Sequence, residues 1–213
     1  MKASFWRRVW DEQQIGFHRS DIHPALKAWW PENRSGDVLV PLCGKTLDMH
    51  WLSQQGHAVT GIELDERAIQ QFFDEWGLVP DTDRIAAGLT RYQAHGITLY
   101  GGDFFAWQPD QPFELFYDRA ALVALPLAMR REYLSHLAGA IAPGGEGLLL
   151  TFEYPEHCMD GPPCTVPEAE VRSQPWFDVE LLERADVLAS HPGLKERGVT
   201  ELNEVAYWLR RRD

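Results

Sequence analysis

The stretch 38–65, VLVPLCGKTLDMHWLSQQGHAVTGIELD, constrains the fold more than any other part of the chain. Its pattern predicts a short apolar strand over 37–42, a tight turn carrying Gly44, and a helix over 47–55 that Gly56 stops. Leu47 and Trp51, and Met49 and Leu52, stand at helical spacing. A second strand over 58–63 then closes on an acid, Glu63, nineteen residues after Gly44. In nucleoside-binding α/β folds a carboxylate at that place accepts both ribose hydroxyls, which fixes the nucleoside through two charge-assisted hydrogen bonds. The plainer alternative makes Glu63 the head of a surface loop with Asp65 and Glu66.

The turn narrows the ligand. Gly44-Lys45-Thr46 looks like the end of a phosphate-binding P-loop, but that motif needs glycine where Leu39 stands. A dinucleotide fingerprint needs several glycines for close approach to a pyrophosphate, and Pro41-Leu42-Cys43-Gly44 supplies one. NAD and FAD are therefore disfavoured. A nucleoside without a pyrophosphate, such as S-adenosylmethionine, suits a single-glycine turn.

Downstream, Ile69, Phe72, Phe73 and Trp76 form an amphipathic helix before Gly77. Residues 89–92 and 97–100 predict a hairpin across Ala94-His95-Gly96, and 113–117 a core strand. Leu134, Leu137, Ala138 and Ile141 predict a helix, with Pro126 in its first turn and Pro143-Gly144-Gly145 as its stop. A buried strand over 147–152, a Pro/Gly-rich loop over 154–167, and closing strands over 179–187 and 205–209 complete the chain. Alternating strands and helices favour an α/β sandwich with an open, mostly parallel sheet whose strand ends line one ligand edge. Two of those ends carry further candidates: Asp103 and Phe104 for adenine, and Asp118 and Arg119 for a ligand carboxylate or second substrate. The structural alternatives are a turn cap for Asp103 and a surface ion pair for Asp118 and Arg119.

Composition removes other classes. With 213 residues, 45% hydrophobic and 24% charged, the chain reads as one ordinary globular domain. A net charge of −12 argues against nucleic-acid binding through bulk charge and against electrostatic membrane binding. No apolar run suits a membrane span, and the N-terminus lacks a signal peptide's apolar core. Three cysteines, Cys43, Cys158 and Cys164, without a CxxC predict free thiols and a cytoplasmic protein. Cys43 reads as a packing residue, the triple arginine at 210–212 as a solvated tail, and no side-chain set has tetrahedral metal spacing, so no metal is expected.

The chain resembles the bacterial thiopurine S-methyltransferases, within the seven-stranded S-adenosylmethionine-dependent methyltransferases. The resemblance spans nearly the whole chain. It rests on FWRRVWDEQQIGFH, on VPLCGKTLDMHWLSQQGHAVTGIEL, on GDFF, on YDRAALVALP, on GPP at 161–163 and on ELNEVAYWL. It implies a Rossmann-like class I methyltransferase fold: an open, mostly parallel seven-stranded sheet, helices on both faces, and an N-terminal helical lid over 1–36. It implies that Trp10, Leu42, Glu63 and Arg119 contact the cofactor, and these join Gly44, Asp103 and Phe104 from the turn and strand ends in one expected cofactor site. Phe17 and His18, with Arg197 as a weaker candidate, fall on the acceptor side, although a lone histidine such as His18 is more often structural. Arg119 would stabilise an anionic acceptor, and Asp118 would orient it or take its proton.

The implied reaction moves the methyl group of S-adenosylmethionine to the sulfur of thiopurines or aromatic thiols by in-line displacement, leaving S-adenosylhomocysteine. Rival readings are a same-fold methyltransferase acting on selenium or tellurium species, and a non-catalytic cofactor-binding module. The expected partner is a small molecule and the default state a monomer, with the lid ordering on cofactor binding. One departure stands out: Cys164 follows GPP where the family usually carries a bulky aromatic.

Overall fold

The computed structural model describes residues 3–85 and 88–213. The chain forms two compact units, Met1–Tyr117 and Asp118–Asp213. The boundary falls within a strand, Phe113–Arg119.

The first unit opens with helices α1 (Ala3–Asp11) and α2 (Pro24–Trp29). It continues through β1 (Val38–Pro41), α3 (Asp48–Gln54), β2 (Val59–Glu63) and α4 (Glu66–Glu75). Strands β3 (Asp81–Arg84), β4 (Thr90–Ala94), β5 (Ile97–Gly101) and β6 (Phe113–Arg119) follow. Their order is β3-β4-β5-β2-β1-β6. Strands β5, β2, β1 and β6 run parallel, and β3 and β4 are added antiparallel. All four residues of β1 are buried, as expected for a parallel strand covered on both faces. Helix α4 starts where the Asp65 carboxylate accepts the Arg67 backbone N–H, and it buries Ile69, Phe72 and Phe73. Each such side chain contributes about 1.5–3 kcal/mol of burial. Trp76, expected on that apolar face, instead ends the helix 41% exposed and stacks on His50. Close layering requires glycine at position 61, where an added Cβ would lie 2.6 Å from Leu99 Cδ2 and 2.7 Å from the Cys43 sulfur. Cys43 thus fills space beside β2, and burial pushes its thiol pKa up.

In the second unit α5 (Leu127–Ala140) leads directly into β7 (Ile141–Glu153). Then come α6 (Glu168–Ser173), β8 (Phe177–Asp186), α7 (Pro192–Glu196) and β9 (Asn203–Arg211). The three strands run antiparallel in the order β7-β9-β8, with a register shift between Leu181 and Glu183. Pro143-Gly144-Gly145 does not stop α5: the helix ends at Ala140 and the triplet lies inside β7. Tyr154, Leu194, Val199 and Leu202 form a small apolar cluster with Phe152 and Met159 packed on it.

The described residues form nine strands, where the resemblance implies seven. One source of the difference is β3, whose sequence Asp-Thr-Asp-Arg is fully exposed and has no apolar alternation to announce it. Strands β3 and β8 are the outer strands in the strand order. Both carry charged side chains, which discourage edge-to-edge pairing. No helix among the described residues is long and apolar enough to cross a membrane.

Candidate functional site

The parallel strands bring β1, β2 and β5 to one edge. Pro41 pairs with Ile62, and Glu63 with Gly101. The turn after β1 is left-handed at Leu42 (φ 48°) and at Gly44 (φ 53°). Leu42 is the unusual member, because a branched side chain rarely adopts that conformation without compensation. The turn is held to β2 by a hydrogen bond from Cys43 N to Ile62 O, 3.1 Å. Asp48, buried at the start of α3, accepts from His23 N (2.8 Å) and from the Tyr117 hydroxyl (2.9 Å). This fixes α3 beneath the turn.

Glu63 is only 7% exposed. Its Oε2 accepts the Gly44 N–H at 2.9 Å and its Oε1 the Asp65 N–H at 2.9 Å. Burial pushes its pKa up to about 7, against those backbone donors, which pull it down. A carboxylate has about four acceptor sites, so two backbone donors leave capacity for a pair of hydroxyls. The residues present therefore fit a ribose: the acid is poised at the glycine turn, and ligand donors would favour its charged form.

Trp10, in the last turn of α1, is 2% exposed. A Cβ at Gly44 would lie 3.3 Å from Trp10 Cζ2, so the indole lies against the turn at glycine distance. Phe17 meets both Trp6 (6.0 Å between ring centres) and Trp10 (5.7 Å) edge to face. His18 follows half-buried, its backbone N–H bonded to Ile15 O. Trp10, Phe17, Gly44 and Glu63 are thus linked on one side of the first unit.

The other expected residues lie as follows. Asp103 is exposed and its carboxylate caps a 3-10 turn over Phe104–Ala106 by accepting the Phe105 N–H at 3.0 Å. Phe104 is 4% exposed and packs with Phe105 and Trp107. Asp118, at the end of β6, is fully buried. Its Oδ2 accepts the Tyr133 hydroxyl at 2.7 Å and its Oδ1 the Leu122 N–H at 3.2 Å. Burial raises its pKa to about 6 despite these donors. The carboxylate is thereby tied to the segment after β6, which follows half-buried Arg119, the last residue of the strand, and opens with Ala120 at φ 67°. Arg197 is exposed and donates to the Pro162 carbonyl at 2.9 Å, next to the Pro163 carbonyl that accepts from the Tyr154 hydroxyl at 2.7 Å. Cys164 is buried below that loop, its sulfur directed to the Asp160 carbonyl.

Sequence reasoning passed over Arg67. Its Nε and Nη2 bind the Asp65 carboxylate side-on at 2.9 and 2.8 Å, and it also donates to the Asp11 carboxylate and to the Arg7 carbonyl of α1. One signal was available: a cation in the first turn of a helix opposes the macrodipole, so Arg67 has a local cost that something must offset.

Residues 1–212 match the thiopurine S-methyltransferase family. A thiopurine S-methyltransferase of Pseudomonas paraeruginosa is 48% identical over 99% of this chain and 100% of its own length. One from Shewanella baltica is 42% identical over the full length of both. Among solved structures, the Burkholderia thailandensis 1,6-didemethyltoxoflavin-N1-methyltransferase, with 1,6-didemethyltoxoflavin and S-adenosylhomocysteine bound, superposes with a TM-score of 0.65. It is 17% identical and covers 99% of this chain and 87% of that one, a likeness of fold.

Proposed function

The chain belongs to the thiopurine S-methyltransferase family, and from that premise we propose that it methylates the sulfur of thiopurines and of aromatic or heterocyclic thiols. That it is an S-adenosylmethionine-dependent methyltransferase follows from the family and from the fold of its structural neighbours. The proposal concerns the acceptor and the residues.

The observation that carries the site is Glu63, buried at the glycine turn with acceptor capacity to spare and Trp10 against the same turn. In this reading Glu63 holds the ribose, and Leu42 and Gly44 shape the turn around the nucleoside. Trp10 and Phe17 exclude water, with His18 beside the acceptor. Asp103 and Phe104 contribute to the adenine side, and Arg119 neutralises a carboxylate or an anionic acceptor. When bound, S-adenosylmethionine supplies an electrophilic methyl on a sulfonium centre. An acceptor thiol that is already largely ionised needs no strong base, so the protein's part is alignment and exclusion of water. In this reading Asp118, fully buried and bonded to the Leu122 N–H and the Tyr133 hydroxyl, supports the acceptor side by holding the backbone that follows it rather than by taking a proton. Arg197 serves the acceptor side by holding the loop at Pro162. The reading includes a monomer acting on a small molecule in the cytoplasm.

The test is methyl transfer from labelled S-adenosylmethionine to 6-mercaptopurine, a simple aromatic thiol and selenite, with Glu63→Ala in parallel. Turnover of the thiols that collapses in the variant supports the proposal. Turnover of selenite alone would move the acceptor to selenium species, and cofactor binding without any turnover would leave only a binding module.

A further inference from the structure

A closed ring of contacts runs through the first unit. From α1, Trp10 lies against Gly44, whose N–H binds Glu63. Glu63 accepts the Asp65 N–H, and Asp65 takes two edges of the Arg67 guanidinium. Arg67 then returns to α1, donating to the Asp11 carboxylate and the Arg7 carbonyl. Arg67 is thus the one cation in this ring that joins α1 to the head of α4, and its fork geometry lets one planar group serve both. It also stands at the C-terminal turn of α1, where the helix dipole favours a positive charge.

We infer that Arg67 is a positioning residue that latches α1 over the cofactor turn and so sets how long the cofactor stays bound. This rests on the reading of Glu63 and the Gly44 turn as the cofactor site. The latch is built to open. The Arg67 and Asp11 side chains are 39% and 72% exposed, so water and salt weaken their pairing. Asp65, 5% exposed on the other side of the fork, keeps the guanidinium aimed when Asp11 lets go. A helix of nine residues has little stability alone, so its hold on the turn depends on Trp10 and on this contact together.

The experiment measures S-adenosylhomocysteine release by stopped flow and amide exchange of residues 3–12, in wild type, Arg67→Met, Asp11→Asn and Glu63→Gln. Asp11→Asn leaves the Asp65–Arg67 pair intact, so it reads the latch even if Arg67→Met disturbs the start of α4. Release is expected to quicken roughly 3- to 10-fold in Arg67→Met and about 2- to 5-fold in Asp11→Asn, with faster exchange in α1. The KM for S-adenosylmethionine should rise more than kcat changes. High salt should speed release from the wild type but scarcely from Arg67→Met. Unchanged release and exchange in both latch variants, with binding lost in Glu63→Gln, would overturn the latch alone. Normal binding by Glu63→Gln would overturn the site reading and the latch with it.

Discussion

Two buried carboxylates face opposite demands, and their titration separates the roles. On the proposed reading Glu63, with a pKa of about 7 raised by burial, must be charged to accept two ribose hydroxyls. Affinity for S-adenosylhomocysteine should therefore rise with pH between 6 and 8, by up to about tenfold per unit below the pKa, and level off above it. Titration calorimetry across that range checks this, and Glu63→Gln should show weak binding without the step. For Asp118 the folded pKa of about 6 lies above the ordinary carboxylate value of 3.8. The folded state then binds more protons than the unfolded one between those values, so stability falls as pH rises through that window and is flat above it. The burial of the charge costs on the order of 2–3 kcal/mol above pH 6. Asp118→Asn keeps an oxygen for the Leu122 N–H, makes the Tyr133 hydroxyl an acceptor from the new amide and removes the titrating group, so its denaturation curves should lose that slope. If Asp118 acts by positioning, methyl transfer in this variant stays within about tenfold of wild type, whereas loss of a general base costs about 10²–10⁴.

At the scale of elements, legibility followed burial. The stretch containing β1, α3, β2 and α4 could be read because parallel strands covered on both faces are continuously apolar and α4 carries a helical stripe. Glu63 was readable for the same reason: strand length and glycine position fix where an acid must fall. Strand β3 was not, because its pairing comes from β4 and not from apolar burial. The run of α5 straight into β7 was hidden by Pro143-Gly144-Gly145, which looks like a helix stop yet sits in a strand paired with β9 from Glu146 onward. The cap made by Asp103 is the structural alternative that the sequence already offered, whereas the burial of Asp118 was beyond sequence, since spacing shows which edge a residue reaches but not which donors meet it. These differences give α1 a distinct character. Trp10→Ala removes the main apolar contact of a nine-residue helix, so the loss falls on α1 locally. Phe72→Ala, in the core of α4, should cost about 3–5 kcal/mol of global stability. Trp10→Ala should lower the global midpoint less than Phe72→Ala while weakening cofactor binding more, as melting curves and S-adenosylhomocysteine titrations will show.

For the whole molecule, the site is stabilised by what binds it. A buried acid with a raised pKa and a left-handed leucine at the turn are both costly without ligand, and such costs concentrate where a protein must meet a partner. The ligand offsets them by binding the folded chain and not the unfolded one. At a concentration one hundred times its Kd, S-adenosylhomocysteine contributes about 2.7 kcal/mol, whatever its individual contacts. For a chain of this size each kcal/mol moves the melting midpoint by about 2–4 °C, so an upward shift of roughly 5–11 °C is expected. Scanning calorimetry at rising ligand concentration checks it, and the shift should grow with the logarithm of concentration. If Glu63 holds the ribose, the shift in Glu63→Gln at the same concentration should fall towards zero, because the raised Kd leaves that concentration at a small multiple of it.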